Sequence, residues 1–408
     1  MKKKVWYISK YANIKKHGAD TRQAVFCKYF SELEYDVRLI TSNSSHIYHD
    51  LPSFSGKYFD ESNDGYNVTW LNTFKYKNAT SPVRLLGWIW FEVLVILMVF
   101  VKRYEKPDVV IISSLSLLSV VSGCFYKLFF KSRFIFEVRD IWPKSLQDLK
   151  GLSSWHPVVW ILRRCEHLGY RYCDSIVGTM PGLSEHVEKE VGLGVKVHYI
   201  PQGVDLSFYS EHQSNVSSEY LEKYIPKDKF VVGYAGSMGV ANALEYIVEA
   251  ARSFNASGVP EIHFLLVGDG YLKEELIEQA KGLCNITFAP SVPKESVQSI
   301  LSLCDLLVSS VRKSEIYDYG LSLNKFIDYM YAKKPVVCMF SGYPSMINES
   351  RCGEFVPSED VEAFVDAILK YKALSVFDRK KIGLNGYNYL VLSRNFDTLT
   401  RAYLGLFK

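Results

Sequence analysis

Residues 230–239 read FVVGYAGSMG. An apolar, β-branched run of strand length passes straight into Gly236-Ser237-Met238-Gly239, and a helical pattern over residues 243–253 follows. A strand that ends in glycines and hands over to a helix is the first half of a βαβ unit. The alternation then repeats downstream. Strands are expected at 262–267, 285–288, 305–309 and 335–339, with helices such as 272–281 between them. Short strands alternating with helices build a parallel sheet covered on both faces.

Working upstream, a second series of the same kind comes into view. Strands are expected at 5–9, 37–41, 108–113, 134–138, 175–178 and 196–200. A helix between the first two carries Phe26, Tyr29, Phe30 and Leu33 at the 3,4 spacing of one buried face. Residues 42–81 are polar and rich in Asn and Tyr, and read as loop with room for one hairpin. The two series meet at Ile200-Pro201-Gln202-Gly203-Val204-Asp205, followed by the Ser-rich residues 210–218, which has the composition of a linker. The fold class is therefore α/β, with two Rossmann-like, doubly wound domains at 1–205 and 206–390. A terminal helix at 391–408 is expected to pack back on the first domain. Ligands of such sheets collect beyond the carboxyl ends of the strands, so two facing domains are expected to leave a cleft.

Composition narrows the class. At 408 residues the chain exceeds a single core, and 48% hydrophobic with 23% charged residues is ordinary for a globular protein. A net charge of +4, with no RRM, zinc-finger or helix-turn-helix signature, gives no case for nucleic acid as a partner. The eight cysteines (Cys27, Cys124, Cys165, Cys173, Cys284, Cys304, Cys338 and Cys352) form no CxxC pair and read as free thiols of a reducing compartment. The start, MKKKVWYISKYANIKK, is basic but its apolar run is too short for a signal peptide, so a cytoplasmic protein is expected. Residues 85–101 (LLGWIWFEVLVILMVFV) hold one charge, Glu92, and are followed by Lys102-Arg103. Such a helix can bury itself against a sheet, lie in a membrane interface through Trp88 and Trp90, or span, although it is short for the last.

Three loops of the second series carry the chemistry. Gly236 and Ser237 let backbone N–H groups approach a phosphate, with the following helix N-terminus behind them. Leu266-Val267-Gly268-Asp269-Gly270 is a second strand-to-turn junction, where Gly268 would wall a base or sugar pocket. The third stretch is Tyr319 to Met330, YGLSLNKFIDYM. Ser322 is a plausible N-cap for a helix from Leu323, which puts Lys325 in the first turn, where the helix dipole and the ammonium both favour an anion. Asp328 falls three residues on, placed to accept hydrogen bonds from hydroxyls such as those of a ribose.

In the first series, Arg139, Asp140 and Trp142 follow a strand as an unusual Arg-Asp-Ile-Trp-Pro run. Gly18 to Arg22 opens the first long helix and could present backbone amides to a ligand. No His pair has metal-ligand spacing, and no HExxH, acidic DxD pair or GxSxG elbow is present, so no metal and no cofactor are expected.

Taken together, VRDIWPKSL (138–146), YAGSMG (234–239), LLVGDG (265–270) and YGLSLNKFIDYMYAKKPVV (319–337) resemble the GT-B glycosyltransferases of family 4. The nearest branch assembles O-antigen, capsule or exopolysaccharide repeats and includes N-acetyl-L-fucosamine transferases. The resemblance implies a retaining, metal-independent transfer from a nucleotide sugar, UDP-linked, to a polyprenyl-diphosphate-linked saccharide at the inner face of the cytoplasmic membrane. It places Gly236 and Ser237 at the donor diphosphate and Asn324 and Lys325 on its phosphates. Asp328 matches the second acidic residue of the family's E-x7-E pattern. The first acidic position falls on Gly320, a departure, with Asp318 close by. The family's Arg after the glycine loop is also missing, which leaves Arg312 or Lys313 to supply that charge. Arg139 and Asp140, with Lys325, are the residues implied for catalysis, and Gly18, Arg22 and Trp142 those facing the acceptor. Two other readings share the fold: a nucleotide-sugar epimerase, which would need acidic and His residues around the donor, and a non-catalytic partner subunit.

Overall fold

The computed structural model describes residues 2–408 except 46, 49, 77–80, 82, 115, 193, 212 and 213, with backbone only for 148–150 and 211. The linker stretch 210–218 and the polar segment 42–81 each include some of those positions. The chain divides into two compact units, Met1–Gln202 with Phe396–Lys408, and Gly203–Asn395.

The first unit is built on an eight-stranded sheet. Its strands are β1 (Lys4–Ile8), β2 (Asp36–Ser42), β3 (Tyr58–Asn63), β4 (Tyr66–Leu71), β5 (Val109–Ser113), β6 (Arg133–Val138), β7 (Ser175–Gly178) and β8 (Val197–Tyr199). Their order is β3-β4-β2-β1-β5-β6-β7-β8, and all neighbours run parallel except the β3–β4 hairpin. The hairpin for which residues 42–81 had room is β3–β4, and its second strand also pairs parallel to β2, with Thr69 opposite Ile40. Its sequence is polar because β3 is an edge strand facing solvent, whereas Val68, Trp70 and Leu71 of β4 are buried.

Helix α1 (Arg22–Glu32) lays Phe26 and Phe30 on this sheet. Helices α2 (Val83–Leu97), α3 (Ser119–Phe130), α4 (Pro157–Tyr172) and α5 (Leu183–Val191) follow, with α2 packed beside α3, α3 beside α4, and α4 beside α5. The apolar segment is therefore a packed helix. Trp88, Phe91, Leu94 and Val95 are buried, and Trp90 is half-buried with its indole N–H on the Asn72 carbonyl at 3.2 Å. Glu92 also turns inward and accepts from Ser119 Oγ and Ser122 Oγ, both at 2.6 Å. The Trp residues read as interfacial belong to this inner side, and the outer side carries Leu85, Leu86, Ile89 and Val93.

The second unit carries six parallel strands in the order β11-β10-β9-β12-β13-β14. They are β9 (Phe230–Ala235), β10 (Ile262–Val267), β11 (Ile286–Ala289), β12 (Leu306–Ser310), β13 (Val336–Met339) and β14 (Gly353–Val356). The last was not legible, since GEFV is four residues with a Gly at its start. That Gly is needed because a Cβ at Gly353 would lie 1.8 Å from the Val336 carbonyl oxygen. Apolar clusters fill both faces of this sheet, as its continuous hydrophobic strands require.

Helices α6 (Glu245–Ala256) and α7 (Asn324–Tyr331) belong to the second unit, and the terminal helix α8 (Phe396–Leu404) returns to the first. Phe396, Tyr403 and Phe407 pack edge-on against Phe26 and Phe30. Beneath them lies Glu137, fully buried. It accepts from Arg22 Nε (2.9 Å), Tyr7 Oη (2.8 Å), Ser113 Oγ (2.7 Å) and Tyr403 Oη (2.6 Å). A buried carboxylate survives only with its lone pairs filled and its charge matched, and this one holds α8 to the sheet.

Candidate functional site

At the carboxyl end of β9, Gly236 to Gly239 lie across the turn that follows β10. Gly236 N–H donates to Val267 O at 3.0 Å and Met238 N–H to Asp269 O at 2.8 Å. The two loops touch so closely that a Cβ on Gly268 would sit 1.9 Å from Gly236 O, and Gly268 has φ +150°. Glycine at 268 is thus what lets the phosphate-type loop close on its neighbour. The helix behind the loop starts later than expected. A short 3₁₀ turn (Val240–Asn242) intervenes, and α6 is Glu245–Ala256.

Helix α7 (Asn324–Tyr331) brings the second half of the site. Its N-cap is Leu323, with no side-chain cap, so Ser322 does not cap it and the helix starts one residue later than expected. Asn324 is exposed in the first turn. Lys325 Nζ donates to Asn242 Oδ1 at 2.6 Å and Tyr234 Oη at 3.1 Å, and stands 4.5 Å from the Tyr234 ring centroid. Asn242 in turn donates to Ser237 O at 3.0 Å and Ser237 Oγ at 3.1 Å. Lysine, amide and serine so link the helix start to the glycine loop. Burial lowers the Lys325 pKa to about 8, although the residue keeps some solvent contact. Among the described residues no carboxylate lies within ion-pair distance of it. An ammonium held by neutral partners beside a glycine loop and a helix N-terminus is a site for an anion.

Asp328 is placed differently from its expected role. It is buried, accepts from Tyr209 Oη at 2.6 Å, and is ion-paired with Lys294. Its carboxylate therefore faces protein donors rather than an open ribose site. Sequence spacing cannot show this, because Tyr209 lies 119 residues away. Arg312 sits beside the glycine loop, with its N–H on Ala241 O, but its guanidinium is paired with Glu245 at the start of α6. Its charge is shared and does not stand alone where the family's Arg is missing. Lys313 is exposed and engages Glu359 through its backbone N–H at 3.2 Å. Gly320 is buried at φ +115°, and Asp318 two residues before it is exposed.

In the first unit Arg22 departs furthest from expectation. Its side chain has no exposure and is spent on Glu137, Ile200 O (2.6 Å) and Pro201 O, so it braces the fold and does not face a ligand. The amides of its loop are also used internally: Gly18 N–H bonds Lys15 O at 3.0 Å and Thr21 N–H bonds Asn13 O at 3.1 Å. Arg139 and Asp140 do emerge at the carboxyl end of β6, half-buried and exposed respectively. Surrounding protein still raises the Asp140 pKa, opposed by Arg139. Trp142 stacks edge-on with Trp88 at 6.0 Å. Asn242 escaped the sequence reading, since a lone Asn carries no motif, and Tyr234 entered it only as a letter of the glycine-loop motif. Among the described residues one group, Glu166, His167 and Glu190 between α4 and α5, is close enough to hold a metal ion. It lies outside the loops at the strand ends.

Residues 229–372 match the family model described as glycosyl transferases group 1. Among curated proteins, alpha-D-kanosaminyltransferase of Streptomyces kanamyceticus is 26% identical over 155 residues, 37% of this chain and 38% of that protein. The chain thus spans under two-fifths of that relative. Over its whole length the fold is that of solved GT-B glycosyltransferases. Sucrose-phosphate synthase from Thermosynechococcus elongatus matches with TM-score 0.71 at 15% identity, covering 100% of this chain and 98% of the other. The E. coli trehalose-6-phosphate structure bound with UDP-2-fluoro glucose matches with TM-score 0.73 at 10% identity, covering 99% of each. The segment that matches the family model, residues 229–372, lies in the second unit and holds the glycine loop and α7.

Proposed function

We propose that the protein is a retaining glycosyltransferase that moves a sugar from a UDP-linked donor to a polyprenyl-diphosphate-linked saccharide during assembly of a bacterial surface polysaccharide. N-acetyl-L-fucosamine is a candidate donor sugar. The observation that carries the reading is Lys325, uncompensated by any described carboxylate and tied through Asn242 to Ser237, inside the segment that matches the transferase family. The bond from the sugar's C1 to the diphosphate breaks as the acceptor oxygen bonds to C1. Negative charge then develops on the leaving nucleotide, where Lys325, the glycine-loop amides and the start of α7 stabilise it without a metal. The acceptor proton leaves toward a diphosphate oxygen on the same face, which retains configuration. Arg139 and Asp140 orient the acceptor hydroxyl.

Peripheral attachment to the inner face of the cytoplasmic membrane is part of the proposal. It is supported by apolar side chains left in solvent on neighbouring helices: Leu86 at 57% exposure on α2, Phe100 at 78% just after it, and Leu128 and Phe129 at 68% and 70% on α3. Exposed Lys102 and Lys131 flank them, which suits an anionic bilayer surface.

The test is a panel of radiolabelled nucleotide sugars incubated with the full chain and bacterial membranes. Label entering the lipid fraction from a UDP-sugar is the expected result. A converted nucleotide sugar with no lipid label would point to an epimerase and overturn the reading.

A further inference from the structure

We propose that the carboxyl ends of β1, β2 and β4, with the first turn of α2, form a phosphate-binding subsite built on Lys10, Lys75 and Arg84 that holds the diphosphate of a lipid-linked acceptor. The proposal rests on the functional reading above and adds a location to it. Lys10 lies two residues past β1 and is only 2% exposed. Its ammonium has one hydrogen-bond partner among the described residues, the neutral Ser42 Oγ at 3.3 Å. Otherwise it meets aromatic rings: Tyr11, Tyr76 and Phe91, with centroids at 5.1, 5.6 and 6.0 Å. An ammonium carries three donors and a full charge, and burying it with one long bond lowers its pKa to about 7; an anion beside it would restore the charged form.

Two further cations share the surroundings. Lys75 follows β4 and donates to the Asn43 carbonyl. Arg84 opens α2, donates Nε–H to Tyr11 Oη at 3.0 Å and lies 5.1 Å from the Trp88 ring. Both disfavour the charged form of Lys10, and the acid that favours it, Glu92, has its two oxygens taken by Ser119 and Ser122. Among the described residues neither Lys10 nor Lys75 has a carboxylate within ion-pair distance. Lys75 and Arg84 both repel the Lys10 ammonium, and a multivalent anion between the three removes that repulsion.

Position selects the kind of anion. A recess of about 370 Å³ lined by Asn43, Ser44, Tyr48, Lys75 and Tyr76 adjoins the cluster. Tyr48 is within electrostatic reach of Arg139, the residue assigned to the acceptor hydroxyl. On the other side, the exposed Leu85, Leu86 and Ile89 begin one residue after Arg84. A diphosphate with a sugar on one end and a prenyl chain on the other matches this order of polar recess, cations and apolar stripe.

Binding of farnesyl diphosphate to the full chain tests it, read by the fluorescence of Trp88 and Trp142 and by calorimetry, with farnesol and vesicles of phosphatidylglycerol as the comparison arms. Saturable binding is expected, weakened at least about fivefold in each of Lys75→Gln and Arg84→Gln and further in the pair, with farnesol indifferent to both. Lys10→Met removes the buried charge and should weaken binding in the same way; its melting curve shows whether it is folded, and the two exposed-side variants decide the matter if it is not. Equal binding by folded variants, or no binding by the unmodified chain, overturns the subsite. Vesicles that displace farnesyl diphosphate with the same dependence on Lys75 and Arg84 reassign the cations to bilayer headgroups and also overturn it. If binding follows the variants but no sugar reaches any lipid, the functional reading fails while the subsite stands. Undiminished transfer by the double variant is the reverse case.

Discussion

Lys325 is the residue on which the donor site turns, and its environment makes it a titratable one. Burial lowers its pKa to about 8, so the ammonium that binds a diphosphate is lost as pH rises through that value. UDP affinity should hold from pH 6 to 7 and then fall, by about tenfold per unit well above 8, in a calorimetric series. Lys325→Ala should remove this limb and cut turnover at least about tenfold. Near-normal turnover would end its role. Asp328 calls for the opposite test, since its oxygens serve Tyr209 and Lys294. Asp328→Asn should cost about 1–3 kcal/mol in denaturant unfolding and leave UDP affinity within a few-fold. A collapse of UDP binding with stability unchanged would restore the ribose role that its spacing suggests. The letters Lys-Phe-Ile-Asp were legible as a charged first turn and a second acid; which of the two meets solvent was not, because the partners come from residues 209, 242 and 294.

At the scale of the element, α2 separates into two faces with different jobs. Its inner face, Trp88, Phe91, Leu94 and Val95, is core, so Phe91→Ser should destabilise the first unit by about 3–5 kcal/mol. Its outer face is in solvent, and replacing Leu86, Ile89 and Val93 by Ser should leave the melting temperature within a few degrees. The same triple variant should lose most of its sedimentation with anionic vesicles. Retained sedimentation by the folded variant would remove this helix from the membrane proposal. The sequence announced an apolar helix but not its sidedness. Leu, Ile and Trp occur all round it, and only the position of the sheet and of Ser119 and Ser122 decides which way Glu92 turns.

For the whole molecule the informative piece is the returning helix α8. Residues 396–408 complete the first unit by laying Phe396, Tyr403 and Phe407 on α1 and filling one lone pair of Glu137. The pKa of Glu137 is lowered in the fold because Arg22 and the hydroxyls outweigh its burial. Its contribution to stability is therefore full above the unfolded value near 4.3 and is lost as pH falls through the lower native one. Glu137→Gln should shift the unfolding of the first unit by about 3–5 kcal/mol at neutral pH and shrink its acid sensitivity. An unchanged transition would mean that α8 is held by its aromatic contacts alone. By itself the sequence determined the alternation of β-branched runs with helical periods, hence two parallel α/β sheets, and the glycine turns at their carboxyl ends. Those are local properties, written within a few residues by side-chain shape and backbone freedom. Only the tertiary structure decided where the charges are spent: Arg22 on Glu137 at 115 residues' distance, Lys325 on Asn242 at 83, and Lys10 among aromatic rings. Partner choice depends on which side chains the sheets bring within a few ångströms, and burial then fixes the energy of leaving any of them unpaired.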